Sequence, residues 1–245
     1  MKQALLLIIT FSLFSFYTTQ GQSPKMTEDW SSKPAKVTPA KWNKPPSDAI
    51  VLYRGKKDLE NFQQNNGEPA GWKPKCFGAI EVDKGNMVSK QAFGDCQYHL
   101  EWRSPRKVNP EQEGQGRGNS GIYIMGRYEV QILDSYENET YYNGMAGSIY
   151  KQSAPLVNAT RKPGKWQTYD VIFHGPRFKE DGQLISPATI TVFHNGVLIQ
   201  DHYELKGPSV YAGYPKYTAH PEKLPFLLQN HGNPVQYRNI WVREL

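Results

Sequence analysis

Cysteine is nearly absent from this chain, which has only Cys76 and Cys96 among its 245 residues. Neither is accompanied by a histidine pair at the spacing of a zinc site, so a cysteine-based metal centre is not expected. The two cysteines lie beside two short β-type runs, around residues 79–82 and 87–90, which antiparallel pairing could bring together. Exported proteins can form disulfides, and the first residues of this chain have the pattern of an export signal, as described below, so the sequence predicts a Cys76–Cys96 bridge.

Several well-known sequence signatures are also missing. There is no Gly-x-Ser-x-Gly nucleophile elbow, no Gly-Lys-Ser/Thr phosphate loop and no His-Glu-x-x-His helix. The net charge is +6, but many of the lysines crowd a proline-rich N-terminal segment and form no basic stripe interleaved with aromatic residues. We therefore expect no nucleic-acid partner.

Long hydrophobic runs are confined to the start of the chain. Lys2 precedes an apolar run over residues 4–16, and Thr19-Gln20-Gly21 offers small residues at the cleavage positions, a pattern typical of a signal peptide. The apolar run is too short to predict a membrane span, and no later segment resembles one. The sequence therefore predicts a cleaved signal peptide over residues 1–21 and a periplasmic or secreted protein.

Aromatic residues, glycine and proline are abundant. The chain contains 15 Tyr, 10 Phe and 6 Trp together with 21 Gly and 18 Pro, which suits many strands joined by tight turns. No long segment carries an apolar period of 3.6 residues. We therefore predict an extended proline-rich segment over residues 22–47, followed by one domain over 48–245. That domain is predicted to be an all-β sandwich of two antiparallel sheets.

Alternation of apolar and polar residues locates the strands. It is clearest over residues 97–103, and Asn195-Gly196 is a strong signal for a hairpin because both residues tolerate positive φ. Further strands are predicted at residues 49–53, 121–125, 128–133, 148–150, 166–174, 188–194, 197–202, 224–228 and 235–243.

Two of these strands carry a polar face. Alternation places Glu129 and Gln131 on one side of the strand at 128–133, and Glu101 and Arg103 on one side of the strand at 97–103. If the two strands are neighbours, their polar faces merge into one cleft with two carboxylates and an arginine. The alternatives are a solvated strand face and an exposed Glu101–Arg103 ion pair.

A third polar group is formed by the segment 147–152 and by His231. His231 lies in a turn rich in asparagine and glycine, where a surface histidine with no special role is the alternative. Aromatic side chains such as Tyr123 and Tyr150 could stack on sugar rings.

Seven segments carry a resemblance to a known family. They are Pro46-Ser-Asp-Ala-Ile-Val-Leu-Tyr-Arg-Gly55, Phe93-Gly-Asp-Cys-Gln-Tyr-His-Leu-Glu-Trp-Arg103, Asn119-Ser-Gly-Ile-Tyr123, Tyr128-Glu-Val-Gln-Ile-Leu-Asp-Ser135, Pro163-Gly-Lys-Trp-Gln-Thr-Tyr-Asp170, Thr191-Val-Phe-His-Asn-Gly-Val197 and His231-Gly-Asn-Pro-Val-Gln-Tyr-Arg-Asn-Ile-Trp241. From Pro46 onward the chain resembles the 3-keto-disaccharide hydrolase domain family, formerly a domain of unknown function. Arg54 and Asn230 stand where the family pattern has aspartate.

The resemblance implies a fold and an activity. The fold is a concanavalin A-like jelly-roll β-sandwich, as in glucanases and lectins, and the partner is a carbohydrate oxidised at C3. A C3 ketone acidifies the C2 proton, so that a base can remove it and expel the C1 substituent, after which water adds back.

The polar residues can be assigned roles in this reaction. We expect Glu129 to act as the base and Glu101 or His231 as the proton donor. Arg103 or Lys151 would stabilise the enolate. The other residues expected to bind the substrate are Tyr123, Gln131, Tyr150 and Gln152.

Other functions remain open at this stage. A non-catalytic, lectin-like glycan-binding module would use the same fold. An ordinary β-glucanase of the retaining type needs two carboxylates about 5 Å apart, and the residue four positions after Glu129 is Leu133, so this strand alone does not supply the pair. No cofactor is certain, although a divalent metal ion at the carboxylates could replace the cationic side chain.

Overall fold

The structure is a computed structural model that describes residues 23–41, 44–107 and 111–245. The predicted signal peptide over residues 1–21 lies outside the described residues. The chain divides into two compact units, Met1–Lys36 and Val37–Leu245. The described part of the first unit contains one short 3-10 helix, η1 (Pro24–Thr27). No helix in the described ranges is both long and apolar enough to cross a membrane.

Most of the regular elements of the second unit are strands. They are β1 (Ile50–Tyr53), β2 (Phe62–Gln63), β3 (Gly71–Pro74), β4 (Ala79–Lys84), β5 (Met87–Phe93), β6 (Cys96–Arg103), β7 (Ser120–Ile124), β8 (Tyr128–Ile132), β9 (Gln167–His174), β10 (Arg177–Phe178), β11 (Leu184–Ser186), β12 (Thr189–His194), β13 (Val197–Glu204), β14 (Leu224–Leu228) and β15 (Gln236–Glu244). The 3-10 helices are η2 (Lys56–Asn61), η3 (Cys76–Gly78), η4 (Gly114–Gly116) and η5 (Tyr142–Gly144).

The strands form two large antiparallel sheets. The larger has the order β13-β12-β9-β6-β15-β4-β3, with β1 also paired to β15, and the smaller has the order β2-β5-β14-β7-β8. Strands β10 and β11 form a separate pair. The sheets pack face to face, since Tyr98 of β6 stacks on Phe226 of β14 with ring centroids 5.4 Å apart. The predicted all-β concanavalin-like jelly-roll sandwich of two antiparallel sheets is confirmed.

Local predictions agree with the structure to different degrees. Asn195 and Gly196 have φ values of +54° and +80° and join β12 to β13, which confirms the predicted hairpin. The strand predicted at residues 148–150 is wrong. Ile149 makes only isolated bridges, to Val130 and to Ser153, because a chain reversal at this point prevents a longer ladder.

The predicted disulfide is also wrong, because both cysteines are free. The runs at 79–82 and 87–90 belong to β4 and β5, which lie in different sheets and do not pair. Cys76 is exposed in η3, whereas Cys96 is buried at the start of β6, which β15 separates from β4. Burial raises the pKa of the Cys96 thiol to about 12, so this thiol is protonated and unreactive at neutral pH.

Candidate functional site

A small pocket lies on the outward face of the smaller sheet. Strands β7, β8 and β14 turn Ile122, Val130 and Leu228 into the core, so their alternate residues face outward. The pocket has a volume of about 230 Å³. Its lining residues are Asn119, Tyr123, Glu129, Gln131, Tyr150, Ser209, Val210, Tyr211, Gln229 and His231.

Glu129 is the most buried charged group of the pocket, with 3% of its surface exposed. Loss of solvation raises the pKa of its carboxyl from 4.5 to about 7, and a hydrogen bond from the Tyr123 hydroxyl opposes that rise. Burial, together with the negative charge of Glu129, raises the pKa of Tyr123, so the phenol keeps its proton. Glu129 therefore gains and loses its proton near neutral pH, next to the Tyr123 hydroxyl, which remains a hydrogen-bond donor throughout.

Gly121 makes room for the Glu129 carboxylate. It lies opposite Gln131 in the β7–β8 ladder. A Cβ at this position would lie 2.5 Å from Glu129 Oε1 and 3.1 Å from a ring carbon of Tyr123. Only glycine leaves the carboxylate in place, which explains this residue in the segment Asn119-Ser-Gly.

The Gln131 carboxamide can serve both protonation states of Glu129. One end of the amide lies 3.0 Å from Glu129 Oε1. With Nε2 at this end, Gln131 donates to the charged carboxylate and to the Ser120 carbonyl oxygen. With Oε1 at this end, it can accept from the protonated carboxyl while Nε2 donates to Gln115 Oε1 over 2.9 Å. The site therefore holds a partner for the group before and after proton transfer.

Two chain segments cover the pocket, residues 147–153 and 205–211, which we call the roof. Gln152 fastens them together, because its Nε2 donates to the Gly207 carbonyl over 2.9 Å and its Oε1 accepts from the Lys206 amide over 2.8 Å. The Glu129 amide donates to Ser209 Oγ over 3.0 Å. Gln152, predicted to bind substrate, is thus committed to backbone groups and lies outside the pocket lining.

Lys151 and Tyr150 occupy the edge of the roof. Tyr150 lines the pocket, and its hydroxyl lies 2.9 Å from the Tyr141 hydroxyl. Lys151 Nζ donates to the Tyr211 carbonyl over 2.5 Å and sits 4.2 Å from the centre of the Tyr211 ring. The cation is therefore held beside the pocket rather than in its lining.

Glu101 and Arg103 lie elsewhere, and the prediction that they share a cleft with Glu129 is wrong. They project outward from β6, which lies in the larger sheet between β9 and β15. Glu101 pairs with Arg238, with Nη2 and Oε2 2.6 Å apart. Arg103 donates to Gln236 Oε1 over 2.6 Å. Alternation assigned both to the correct face of their strand, but the outward faces of two packed sheets point in opposite directions.

Sequence reasoning placed Glu129, Gln131, Tyr123, Tyr150 and His231 at the site, and the structure brings all five to one pocket. It missed four polar or aromatic members of the lining: Asn119, Ser209, Tyr211 and Gln229. Continuing the alternation of β14 by one residue would have indicated Gln229. No comparable signal existed for Ser209 and Tyr211, which reach the pocket through an irregular loop.

Gln229 is notable because it has an unused acceptor. Its Nε2 donates to the Tyr123 hydroxyl over 3.3 Å. Its Oε1 is buried and has no hydrogen-bond partner. A buried polar atom without a partner is costly, and a hydroxyl of a bound molecule would satisfy this one.

The lining offers little for a metal ion. The described residues contain no group of three or more His, Cys, Asp or Glu side chains that could hold one. Within the pocket, only Glu129 and His231 are of these types. These side chains do not form the three- or four-ligand set that transition metals require, so we derive no step through a metal ion.

Comparisons with known proteins concern the family and the fold of the chain. A family model described as a 3-keto-alpha-glucoside-1,2-lyase-like domain matches residues 48–243. A crystal structure from Parabacteroides distasonis, of a protein provisionally classed as a glycosyl hydrolase, has 45% sequence identity and a TM-score of 0.87, covering 92% of this chain and 98% of that one.

Two further Parabacteroides distasonis structures of the same provisional class show the fold alone. Their identities are 17% and 20%, and their TM-scores are 0.57 and 0.55. Each alignment covers 80% of this chain, and 94% and 100% of the other chains. No protein with a curated function matches the sequence.

Proposed function

Because the chain belongs to the 3-keto-alpha-glucoside-1,2-lyase-like domain family, we propose that it is an exported glycoside-cleaving enzyme. Its substrates are 3-keto-glycosides and 3-keto-disaccharides, which it cleaves by C2-proton abstraction and elimination. The observation that carries the proposal is Glu129, a buried carboxyl whose pKa is raised to about 7 beside the Gln131 amide, which can donate to its charged form and accept from its protonated form. The proposed export rests on the N-terminal sequence.

Glu129 acts as the base. A catalytic base works best when its pKa lies near the working pH, and burial gives Glu129 this property. No second carboxylate lines the described pocket, so the pocket lacks the pair of carboxyl groups that an ordinary retaining or inverting glycosidase uses. Elimination needs only one base, which favours the 3-keto-glycoside over the unoxidised sugar.

The first half of the reaction moves two protons and breaks the C2–H and C1–O bonds of the substrate. Glu129 takes the C2 proton, and the C2–H electron pair forms the enolate of the C3 ketone. The enolate then expels the C1 oxygen, which takes a proton from His231 as the C1–O bond breaks. Neutral hydroxyls supply hydrogen bonds to the developing charge; burial raises the pKa of Tyr150 and so keeps its hydroxyl protonated as such a donor.

The second half restores the enzyme. Water adds its oxygen to C1 of the unsaturated ketone, and protonated Glu129 returns a proton to C2. The remaining proton of the water goes to His231, which regains the one it gave to the leaving group. The sum of the two halves is hydrolysis, and the alternate orientations of Gln131 provide a hydrogen-bond partner for Glu129 at each stage.

The pocket and its surroundings suggest where each part of the substrate lies. The volume of about 230 Å³ suits a single sugar ring. A wider groove of about 640 Å³ adjoins it through Tyr211 and is lined by Lys151 and Tyr214. Exposed aromatic rings stack well on sugars and other rings, so this groove is the place for the leaving group.

A product assay tests the proposal. The chain without residues 1–21 is mixed with a 3-keto-α-glucoside or its unoxidised parent, with and without chelator, and release of 3-keto-glucose is followed. We expect release from the keto substrate alone, and loss of turnover in Glu129→Gln with the fold retained. Cleavage of the parent would indicate an ordinary glycosidase. Binding without cleavage of either would indicate a lectin-like module, and sensitivity to chelator would show the metal requirement.

A further inference from the structure

A second groove lies on the outward face of the larger sheet, on the side opposite the Glu129 pocket. Its volume is about 830 Å³. Its lining residues are Arg54, Phe77, Gly78, Glu101, Thr168, Arg238 and Asn239. None of them takes part in the proposed reaction.

A β-bulge brings Asn239 into this groove. The register between β15 and β6 shifts between Arg238 and Trp241, and Asn239 has a φ of +50°. Bulges redirect side chains and occur frequently beside functional sites. Here the bulge adds Asn239 to the outward face, next to Arg238.

Asn239 leaves one buried acceptor without a partner. It is only 5% exposed, and its Nδ2 donates to Glu101 Oε1 over 3.1 Å. Because the carboxylate can only accept, this bond fixes the orientation of the amide. Asn239 Oδ1 is then buried with no hydrogen-bond partner, and a donor on a bound molecule would satisfy it.

The charges around Asn239 are already paired. Glu101 binds Arg238, and His99 Nδ1 lies 2.6 Å from Asp170 Oδ1. Neither an anion nor a cation would find an uncompensated partner at these groups. A neutral donor, such as a hydroxyl, would therefore satisfy Asn239 Oδ1 without disturbing either ion pair.

Phe77 supplies an apolar surface on the rim of the same groove. Its side chain is 95% exposed, and its φ of +59° is unusual for a large residue. The adjacent Gly78 permits this conformation, because a Cβ there would lie 2.4 Å from the Arg54 carbonyl oxygen. Strained residues persist where the surrounding structure holds them, often at binding sites.

We propose that this groove is a second saccharide-binding site, separate from the catalytic pocket, which takes one neutral sugar unit. A hydroxyl of the sugar donates to Asn239 Oδ1, and the apolar face of its ring packs on Phe77. The combination of an apolar platform with an unsatisfied neutral acceptor is the chemistry that recognises a carbohydrate.

Calorimetry with maltotriose and cellotriose tests this site in the Glu129→Gln chain, which rules out turnover during the titration. Phe77→Asn removes the ring but keeps a residue that tolerates positive φ, and Asn239→Gly removes the amide at a backbone conformation that glycine accepts. We expect each change to weaken binding about tenfold, the loss of one good contact. Tyr214→Asn, which removes an equally exposed ring from the groove assigned to the leaving group, is the comparison variant and should keep the binding that Phe77→Asn and Asn239→Gly weaken.

Three results would overturn the inference. One is the absence of maltotriose and cellotriose binding in the parent chain. Another is unchanged affinity in folded Phe77→Asn and Asn239→Gly, with folding checked by the denaturation midpoint. The third is loss of binding in Tyr214→Asn alone, which would assign the saccharide to the catalytic face. Because Phe77 is almost fully exposed, its replacement keeps the test decisive even if Asn239→Gly fails to fold.

Discussion

Replacing Glu129 by Gln should make the stability of the protein less dependent on pH, while abolishing turnover. The carboxyl has a pKa of 4.5 in the reference state and about 7 in the folded protein, because burial disfavours its charged form. Between these values, the folded state keeps the proton and the unfolded state has lost it. The stabilising contribution of this proton is therefore fully present below pH 4.5 and is lost as the pH rises through 7.

The size of the effect follows from the same two pKa values. A difference of about 2.5 pKa units corresponds to about 3 kcal/mol of unfolding free energy over the whole titration. Most of this change falls between pH 5 and pH 8. Glutamine does not titrate, so its free energy of unfolding lacks this contribution.

Urea denaturation of both chains at pH 5 and at pH 8 measures the effect. Other titrating groups are common to the two chains and cancel in the difference between them. The hydrogen bond that glutamine loses shifts the difference equally at both pH values. We expect the free energy of unfolding of Glu129→Gln to gain roughly 2 to 3 kcal/mol relative to the parent on going from pH 5 to pH 8.

A difference in unfolding free energy that does not change with pH would refute the reasoning. It would mean that Glu129 titrates normally and is not the buried base described above. The pH profile of the parent enzyme provides an independent check. Since the base must be deprotonated, the acidic limb of the kcat/KM profile should rise with pH through an apparent pKa near 7.

Three further predictions concern other residues. Gly121→Ala should lower kcat at least tenfold, because the added Cβ would lie 2.5 Å from Glu129 Oε1 and a displaced base loses about 10² in rate. Steady-state kinetics measures the change, and a normal kcat would contradict the prediction. Arg103→Gln should leave turnover unchanged, because Arg103 lies on the other sheet; a lost activity would restore the single-cleft hypothesis. A thiol reagent should label Cys76 in the native protein and Cys96 only after unfolding, since both are free and only Cys76 is exposed. If neither cysteine reacts in the unfolded protein until a reductant is added, the two form a disulfide and the prediction is wrong.

The sequence predicted the fold class and the faces of the strands because both depend on local patterns. Alternation correctly placed Glu129 and Gln131 on one face of β8, and Asn195-Gly196 correctly marked a hairpin. These features follow from neighbouring residues along the chain, so one sequence is enough to find them.

The assignment of strands to sheets could not be read in this way. Glu101 and Glu129 have equally clear strand patterns, yet β6 and β8 lie in different sheets. Pairing between strands depends on contacts between residues far apart in sequence, and the alternation within one strand gives no information about those contacts. The same limit explains the wrong disulfide, and why Ser209 was missed, since it reaches the pocket through a loop about 80 residues from Glu129.

The roof has a second consequence, which concerns the solubility of the protein. Strand β8 is the last strand of the smaller sheet, so its outer backbone groups would form an open edge. Residues 147–150 cover this edge: the Gln131 amide donates to the Ser148 carbonyl over 3.0 Å, and the Tyr150 amide donates to the Glu129 carbonyl over 3.2 Å. Open edges invite pairing with other molecules and aggregation. A change that loosens residues 147–150 would therefore expose the unpaired edge of β8 as well as the pocket. Substitutions in the roof that alter substrate preference must for this reason keep that edge covered.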